Sequence, residues 1–204
     1  MMLIIRCFLV KLKKNIKKTI DYLYLLSKGV DTKFGYCCLI GNPVISKIKG
    51  SKIIIEEGVT IVSKTKGNIA GVNNPTILAT LDSNAKIILK KGSGISGSKI
   101  VSAVYIELGE YSGIGVNSSI YDTDFHPIES NKRRFQRSIN EARSKAIIIG
   151  EDVLIGAQCI VLKGSNISSG CVIGAGSVVS GQVLDKNFVY AGNPLKKVKK
   201  INNE

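Results

Sequence analysis

A lone histidine is the side chain in this sequence best suited to acid–base chemistry. His126 is the only histidine among 204 residues, and it lies within the polar stretch Asp122 to Pro127. An imidazole, with a pKa of about 6.5, can take a proton from a hydroxyl at neutral pH and later return it to a leaving group. By residue type alone, His126 is either such a general base or an ordinary surface histidine.

Three polar residues near this histidine are candidates for binding a substrate. Asp122 and Asp124 could orient the imidazole or bind hydroxyl groups of an acceptor, but both could equally cap turns through local hydrogen bonds. Asn117 precedes them and could face the same cleft or simply face solvent. The sequence leaves these alternatives open.

The elements that would position these residues repeat every six residues. Aliphatic residues recur at this interval without a slip at Ile149, Ile155, Val161, Ile167, Ile173 and Val179. The fifth place of each hexad is small, at Val153, Cys159, Ser165, Cys171, Ser177 and Val183. The pattern predicts one short strand and one corner per hexad, with the aliphatic side chain inward and three hexads closing a triangular coil.

The same repeat continues upstream of a long interruption. It is seen at Leu108, Ile114 and Ile120, and more faintly at Leu89, Ile95 and Val101. Antiparallel strands would alternate with period two, and an α-helix would be broken by the glycines, so neither fits. Between Ile120 and Ile149 we predict a loop outside the coil, at about residues 121–146. It carries His126 and the basic residues Lys132, Arg133, Arg134, Arg137, Arg143 and Lys145.

Three motifs resemble the hexapeptide-repeat acyltransferase family. They are the stretches Ile149–Gly156 and Val172–Val179 and the closing segment Tyr190–Pro194. The resemblance covers about residues 40–201 and implies an all-β protein, a left-handed parallel β-helix, although crossovers are usually right-handed. We expect a basic N-terminal helix at 1–30, the β-helix at 31–184 and a C-terminal tail at 185–204. The spacing of Leu195, Val198 and Ile201 predicts a short amphipathic helix in that tail.

The resemblance also implies an activity and the residues that perform it. It implies an acetyl-CoA-dependent O-acetyltransferase acting on a saccharide hydroxyl, in the synthesis of a capsular or other cell-surface polysaccharide, with His126 as general base and direct transfer. By motif, the coenzyme would contact Gly156, Ala157, Gly174 and Ala175, and its phosphates Lys196 and Lys199. Those small residues could also be architecture alone, and the lysines could be ordinary solvated side chains. The family is usually trimeric, so a homotrimer is expected.

Two other functions remain open. An acetyltransferase that modifies an antibiotic would share the coil and His126, and a non-catalytic β-helix would serve only as a structural or binding module. A zinc site is not expected, because one histidine cannot supply the three ligands of the zinc-dependent carbonic anhydrases with this repeat.

Composition narrows the class of partner and the compartment. The formal charge of +14 comes mostly from scattered lysines without a recognition motif, so nucleic acid is not expected as a partner. Five cysteines form no C-x-x-C pair, and no stretch has the length of a membrane span. These features favour the reducing cytoplasm.

The N-terminal residues 1–28 are typical of a basic amphipathic helix. One apolar stripe runs along Ile5, Leu9, Leu12, Ile16, Ile20 and Leu23, with lysines mostly opposite it. The stripe could cover the open end of the β-helix, or it could lie on the inner membrane surface.

Overall fold

Three parallel β-sheets form the faces of a triangular prism. The computed structural model describes residues 2–136, 138 and 141–202, with side chains from Val10 onward. Helix α1 (Met2–Ser27) precedes the strands, helix α2 (Ser130–Arg134) lies within the later loop, and a 3-10 helix spans Thr65–Gly67. The strands are β1 (Cys37–Ile40), β2 (Val44–Ser46), β3 (Lys52–Ile55), β4 (Val59–Val62), β5 (Ile77–Thr80), β6 (Lys86–Leu89), β7 (Gly94–Ser96), β8 (Lys99–Ser102), β9 (Tyr105–Leu108), β10 (Gly113–Ile114), β11 (Ser119–Tyr121), β12 (Ile147–Ile149), β13 (Leu154–Ile155), β14 (Ile160–Leu162), β15 (Asn166–Ile167), β16 (Val172–Ile173), β17 (Val178–Ser180), β18 (Val183–Leu184), β19 (Phe188–Ala191) and β20 (Lys196–Lys200).

Consecutive strands enter the three sheets in rotation. Sheet 1 has the order β1-β4-β7-β10-β13-β16-β19-β20, sheet 2 the order β17-β14-β11-β8-β5-β2, and sheet 3 the order β18-β15-β12-β9-β6-β3. The chain therefore turns three corners per coil, which we name edge 1–2, edge 2–3 and edge 3–1 after the sheets they join. The architecture is a left-handed parallel β-helix, as the repeat and the resemblance predicted.

The predicted inward residues form the core of this prism. All six aliphatic residues from Ile149 to Val179 are at most 1% exposed, and the first four stack on aliphatic residues of the next coil, as Ile155 does on Ile173. Burying one such side chain stabilises the fold by about 1.5–3 kcal/mol. Of the predicted small fifth places, the five from Val153 to Ser177 are also buried.

The six-residue repeat slips by one residue at two corners. Ile100, not the predicted Val101, points into the core and pairs with Ile120. Leu184 likewise pairs with Ile167, and the predicted small-place residue Val183 is 75% exposed. In both cases the inward residues are five apart rather than six, because the corner between them is one residue shorter.

The C-terminal half of α1 closes the first end of the prism. Leu25 is buried in the core, and Tyr24 packs against it. The Asp21 carboxylate accepts the backbone N–H of Leu39 in β1 at 3.2 Å, while Lys17 Nζ donates to the Leu39 carbonyl at 2.5 Å. The side chains of Asp21 and Lys17 thus satisfy backbone groups of β1 that are not hydrogen-bonded to another strand.

The predicted apolar stripe of α1 does not perform this closure. Ile5 and Leu9 lie outside the residues with described side chains, and the other members are exposed: Leu12 by 45%, Ile16 by 51%, Ile20 by 59% and Leu23 by 57%. The prediction that the stripe covers the end of the β-helix is therefore wrong for these four residues, because a different face of the helix does so. Within the part of the chain that the structure describes, no helix is long and apolar enough to cross a membrane.

The C-terminal tail is a strand rather than the predicted helix. β19 continues sheet 1 beyond the predicted end of the β-helix at residue 184, pairing in parallel with β16. β20 then folds back antiparallel on β19, after a turn at Gly192 with φ of 99°. The unpaired edge of β19 offers hydrogen bonds that a short exposed helix would not use, and this explains why the spacing of apolar residues was misleading.

The close approach of successive coils predicts which glycines tolerate a side chain. A Cβ on Gly109 would lie 2.1 Å from the Gly150 carbonyl oxygen, whereas a Cβ on Gly94 would meet no atom within 4 Å. We expect Gly109→Ala to lower the free energy of unfolding by about 1–3 kcal/mol, the usual range for overpacking. Gly94→Ala is the matched control and should leave the urea unfolding midpoint unchanged or slightly raised. Equal midpoints for the two variants would contradict this account of the coil.

Candidate active site

The loop that carries His126 leaves the prism at edge 2–3, between β11 and β12. Its two arms pair where they leave: Lys145 N–H donates to the Asp122 carbonyl at 2.9 Å, and Asp124 N–H donates to the Arg143 carbonyl at 3.0 Å. An antiparallel bridge between Thr123 and Ser144 lies between these bonds. The loop therefore begins from a base fixed to the coil.

A tight turn then presents the imidazole to solvent. Phe125 has a φ of 62°, in the left-handed region, and its N–H donates to Thr123 Oγ1 at 3.2 Å. The Phe125 ring packs edge-on against Tyr121, with centroids 5.2 Å apart. Pro127 is buried and His126 is exposed. The anchored turn thus holds an accessible imidazole.

Gln136 is the hydrogen-bond partner of the imidazole. Its Oε1 lies 2.7 Å from His126 Nδ1. Sequence reasoning missed Gln136, because a glutamine in an irregular basic stretch carries no periodic or motif signal. Arg137, one of the basic residues predicted in this loop, lies outside the described residues.

Asp122 has a structural role rather than the predicted contact with an acceptor. Its side chain is fully buried, and its carboxylate accepts hydrogen bonds from Ser102 Oγ and from the backbone N–H groups of Ala103, Val104 and Tyr105, at 2.6–2.9 Å. These donors form edge 2–3 of the preceding coil. The prediction that Asp122 binds substrate is therefore wrong, because the side chain fastens the loop to the coil below it and has no exposed surface.

Asp124 is tied to the following coil. Its Oδ1 pairs with Lys163 Nζ at 2.6 Å, and both side chains are partly exposed. Its Oδ2 is buried and has no hydrogen-bond partner among the described residues. The ion pair with Lys163 thus connects the loop to edge 2–3 of the following coil. Nothing in the sequence had singled out Lys163. Orientation of the imidazole falls to Gln136, since Asp124 pairs with a lysine.

Asn117 is also engaged structurally. Its Oδ1 accepts the N–H of Asn73 at 3.0 Å, and its Nδ2 donates to the Gly71 carbonyl at 2.8 Å. The side chain holds an irregular segment between β4 and β5 against edge 1–2. Its amide is already bonded to another loop, and the contact of Asn117 with the acceptor stays a prediction.

The small residues predicted to line a coenzyme groove lie at edge 1–2. A Cβ on Gly156 would come within 2.5 Å of the backbone of Ala175, so that glycine is required by the packing of coils. Ala157 packs against a small cluster with Val116. Ala175 is exposed, and a Cβ on the adjacent Gly176 would meet open space. Edge 1–2 is thus open to solvent around Ala175. Within one chain, however, His126 lies at a different edge, edge 2–3.

The predicted phosphate-binding lysines lie on β20 and are exposed. Lys196 stands opposite Ala191 and Lys199 opposite Val189 in the β19–β20 pair. Lys197 between them is occupied instead: its Nζ lies 2.7 Å from Asp185 Oδ2 and 3.7 Å from the centre of the Phe188 ring. The hydrogen bond to Asp185 raises the pKa of Lys197 above its ordinary value.

Buried thiols are poorly suited to nucleophilic chemistry here. Burial raises the pKa of Cys159 and of Cys171, and it raises the pKa of Cys37 to about 12. A thiol in such surroundings stays protonated at neutral pH. Among residues 2–136, 138 and 141–202, no group of three histidine, cysteine or acidic side chains is placed to hold a metal ion.

Known proteins of similar sequence are named as O-acetyltransferases. No family model matches the chain. It is 46% identical over 61 residues to the putative lipopolysaccharide biosynthesis O-acetyl transferase WbbJ of Escherichia coli, covering 30% of this chain and 31% of that protein. It is 36% identical over 114 residues to galactoside O-acetyltransferase of Lactococcus lactis, covering 54% of this chain and 52% of that protein. The chain spans about half or less of the length of these curated relatives.

Solved structures share the fold at low sequence identity. The polysialic acid O-acetyltransferase OatWY superposes with a TM-score of 0.60 and 21% identity, over 85% of this chain and 74% of that one. AntD, an N-acyltransferase from Bacillus cereus, gives 0.53 and 19%, over 87% of each chain. The coil, the hexads and the loop at edge 2–3 define a left-handed β-helix protein of the hexapeptide-repeat class. The named relatives are O-acetyltransferases, to which this chain is similar in sequence over part of its length.

The burial of Asp122 predicts a loss of stability when its charge is removed. In Asp122→Asn an amide nitrogen would face N–H donors, and we expect the free energy of unfolding to fall by about 1–3 kcal/mol. Asp124→Asn is the control, with a smaller loss because its ion pair with Lys163 is partly exposed. Urea unfolding followed by circular dichroism measures both. An Asp122→Asn protein as stable as the wild type would contradict the anchoring role.

Proposed function

We propose that this protein is an acetyl-CoA-dependent O-acetyltransferase that acetylates a saccharide hydroxyl, with His126 as general base. The observation that carries the proposal is an exposed imidazole on an anchored turn, bonded through Nδ1 to Gln136. The names of the sequence relatives, which include lipopolysaccharide and galactoside O-acetyltransferases, support a saccharide as the acceptor.

The chemistry requires one base and no covalent enzyme intermediate. His126 removes the proton from the acceptor hydroxyl as the oxygen attacks the thioester carbonyl. A tetrahedral intermediate forms, and a backbone N–H at a glycine-rich corner would stabilise its oxyanion. When the intermediate breaks down, the imidazolium returns its proton to the departing thiolate, so that acetyl ester and free coenzyme result. The raised thiol pKa values of Cys159 and Cys171 support this direct transfer over a cysteine-bound intermediate.

Edge 1–2 and β20 are the proposed binding surface for the coenzyme. The open surface at Ala175 and Gly176 admits a thin chain such as pantetheine, and the exposed Lys196 and Lys199 offer positive charge to phosphates. Gly174 and Ala157 would flank this path, while Gly156 contributes through the packing of the coils. When bound, the coenzyme supplies the acetyl thioester.

A homotrimer would bring the two halves of the site together. His126 lies at edge 2–3 and the proposed coenzyme residues lie at edge 1–2, so a single copy does not bring them to one cleft. Two prisms side by side can place edge 2–3 of one against edge 1–2 of the next. Repeating that contact around a threefold axis closes a ring.

The cell-surface saccharide is proposed to be anionic. The loop beside His126 carries three basic residues in α2, and the side chains of Lys132 and Arg134 are exposed. Such charges would favour acidic sugars over neutral ones. Assignment to capsular or cell-surface polysaccharide synthesis follows from this charge and from the lipopolysaccharide relative.

Replacement of His126 tests the proposed mechanism. His126→Asn keeps an amide that can donate to Gln136 but cannot accept the hydroxyl proton. We expect kcat to fall by about 10²–10⁴-fold, the usual contribution of a general base, with the KM for acetyl-CoA little changed. The assay is mass spectrometry of acidic and neutral oligosaccharides, and of acetyl-accepting antibiotics, incubated with acetyl-CoA. Gln182→Ala, on an exposed corner, is the control.

Three outcomes would contradict the proposal. One is a His126→Asn enzyme within about threefold of the wild-type rate. Another is acetylation of the antibiotics alone, and the third is the absence of coenzyme release with any acceptor. Light scattering on the same preparation should give the mass of three chains.

We also propose that α1 attaches the protein to the cytoplasmic face of an anionic membrane. Leu12, Ile16, Ile20 and Leu23 recur at helical spacing on one exposed side. Lys11, Lys13 and Lys14 are exposed beside this stripe. An apolar stripe flanked by lysines is typical of helices that lie in the interface of an anionic bilayer. Such attachment would hold the enzyme near lipid-linked saccharides.

Sedimentation with lipid vesicles tests this attachment. The full chain should bind vesicles containing phosphatidylserine, and binding should weaken as salt rises. A double variant, Ile16→Ser with Ile20→Ser, should bind several-fold less, because its apolar stripe is interrupted. Val198→Ser removes an equally exposed apolar residue from β20 and should bind as the wild type does. Equal binding to neutral and anionic vesicles would contradict the proposal.

A further inference from the structure

The side chain of Gln136 joins three points of the loop. Its Oε1 lies 2.7 Å from His126 Nδ1, and its Nε2 donates to the carbonyl oxygens of Phe125 at 3.0 Å and of Ser138 at 2.9 Å. Phe125 immediately precedes the histidine, and Ser138 belongs to the returning arm. The amide therefore links the turn, the imidazole and the far side of the loop.

These contacts fix which way the amide points. Nε2 carries two protons and can serve both carbonyl oxygens, whereas Oε1 can only accept. Reversing the amide would bring Oε1 against two carbonyl oxygens and lose both hydrogen bonds. The carbonyl oxygens of Phe125 and Ser138 both need a hydrogen-bond donor, so Nε2 of Gln136 faces them. Its Oε1 therefore faces the imidazole ring.

The orientation of the amide in turn fixes the proton on the ring. An oxygen at 2.7 Å must accept a hydrogen bond, so Nδ1 of the neutral imidazole carries the hydrogen and Nε2 carries the lone pair. We propose that Gln136 is a positioning residue that selects this tautomer of His126 and thereby keeps Nε2 as the basic nitrogen. The catalytic consequence rests on the proposed function, but the tautomer itself does not.

A neutral amide suits this task. A carboxylate at the same place would set an oxygen against the Phe125 and Ser138 carbonyls. It would also add a formal negative charge beside an exposed ring and beside the acidic acceptor proposed above. Gln136 orients the imidazole without that charge. Its donors to Phe125 and Ser138 also couple the ring orientation to the closure of the loop.

Nuclear magnetic resonance of the imidazole nitrogens tests the tautomer directly. His126 is the only histidine, so protein labelled with ¹⁵N-histidine gives one set of ring signals. At a pH of about 9, where an imidazole is neutral, the wild type should show a protonated Nδ1 and an unprotonated Nε2. Gln136→Met keeps the side-chain length but has no comparable acceptor, and should show a mixture with substantial Nε2–H. Gln136→Glu keeps an acceptor oxygen near the ring but loses both donors to the carbonyls of Phe125 and Ser138, so it should favour Nδ1–H less completely than the wild type does.

Kinetics on the same variants test the catalytic consequence. Gln136→Met should lower kcat by about 10- to 100-fold, the range found when a partner that orients a histidine is removed, with the KM for acetyl-CoA unchanged. Gln136→Glu should recover only part of that loss, because it keeps an acceptor for the ring but not the donors to the two carbonyls, and Gln182→Met is the control in both measurements.

Three results would overturn the inference. The first is a wild-type ring protonated at Nε2, and the second is a ring spectrum unchanged in Gln136→Met, whatever the activity. The third is a changed tautomer in Gln136→Met with an unchanged kcat. Failure of the proposed function would show separately, as full activity in His126→Asn together with a normal tautomer pattern in the wild type.

Discussion

The short distance between successive coils is the constraint on which this structure depends. Strands of a parallel ladder lie about 4.8 Å apart. At the corners, the backbone of one coil occupies the space that a Cβ of the neighbouring coil would need. A Cβ on Gly150 would lie 2.6 Å from the N of Ser169, as one on Gly109 would meet Gly150. The core of the prism consists mainly of stacked aliphatic side chains. His126 instead lies on the loop that leaves the coil at edge 2–3.

The periodic part of the fold could be predicted because each hexad obeys the same local rule. Ile149 to Val179 were placed inward correctly, since every coil there has equal corners. The slip that puts Ile100 inward could not be predicted, because both Ile100 and Val101 suit the position and corner length decides between them. The β20 strand was missed for a similar reason: its formation depends on the free edge of β19, which exists only in the folded chain.

The candidate site was predictable only in part. The motif located His126 on an excursion from the coil, and the structure places it there in an exposed position. Asp122 and Asp124 are indistinguishable by type and by spacing, yet one lies under four donors of the preceding coil and the other faces Lys163 of the following coil. The contact between Gln136 and the imidazole joins residues ten apart in an irregular segment. Their positions follow from stacking and loop closure, which a linear pattern does not encode.

The lysine-rich strand β20 has a consequence for how copies of the chain can associate. It forms the outer edge of sheet 1, where a neighbouring molecule could otherwise add a strand, and it presents four lysines among five exposed residues. Two such edges approaching each other would bring like charges into register, which opposes pairing. At the opposite end, α1 already occupies the hydrogen-bonding groups of Leu39. Growth into fibrils by end-to-end strand addition is thereby discouraged at both edges of sheet 1.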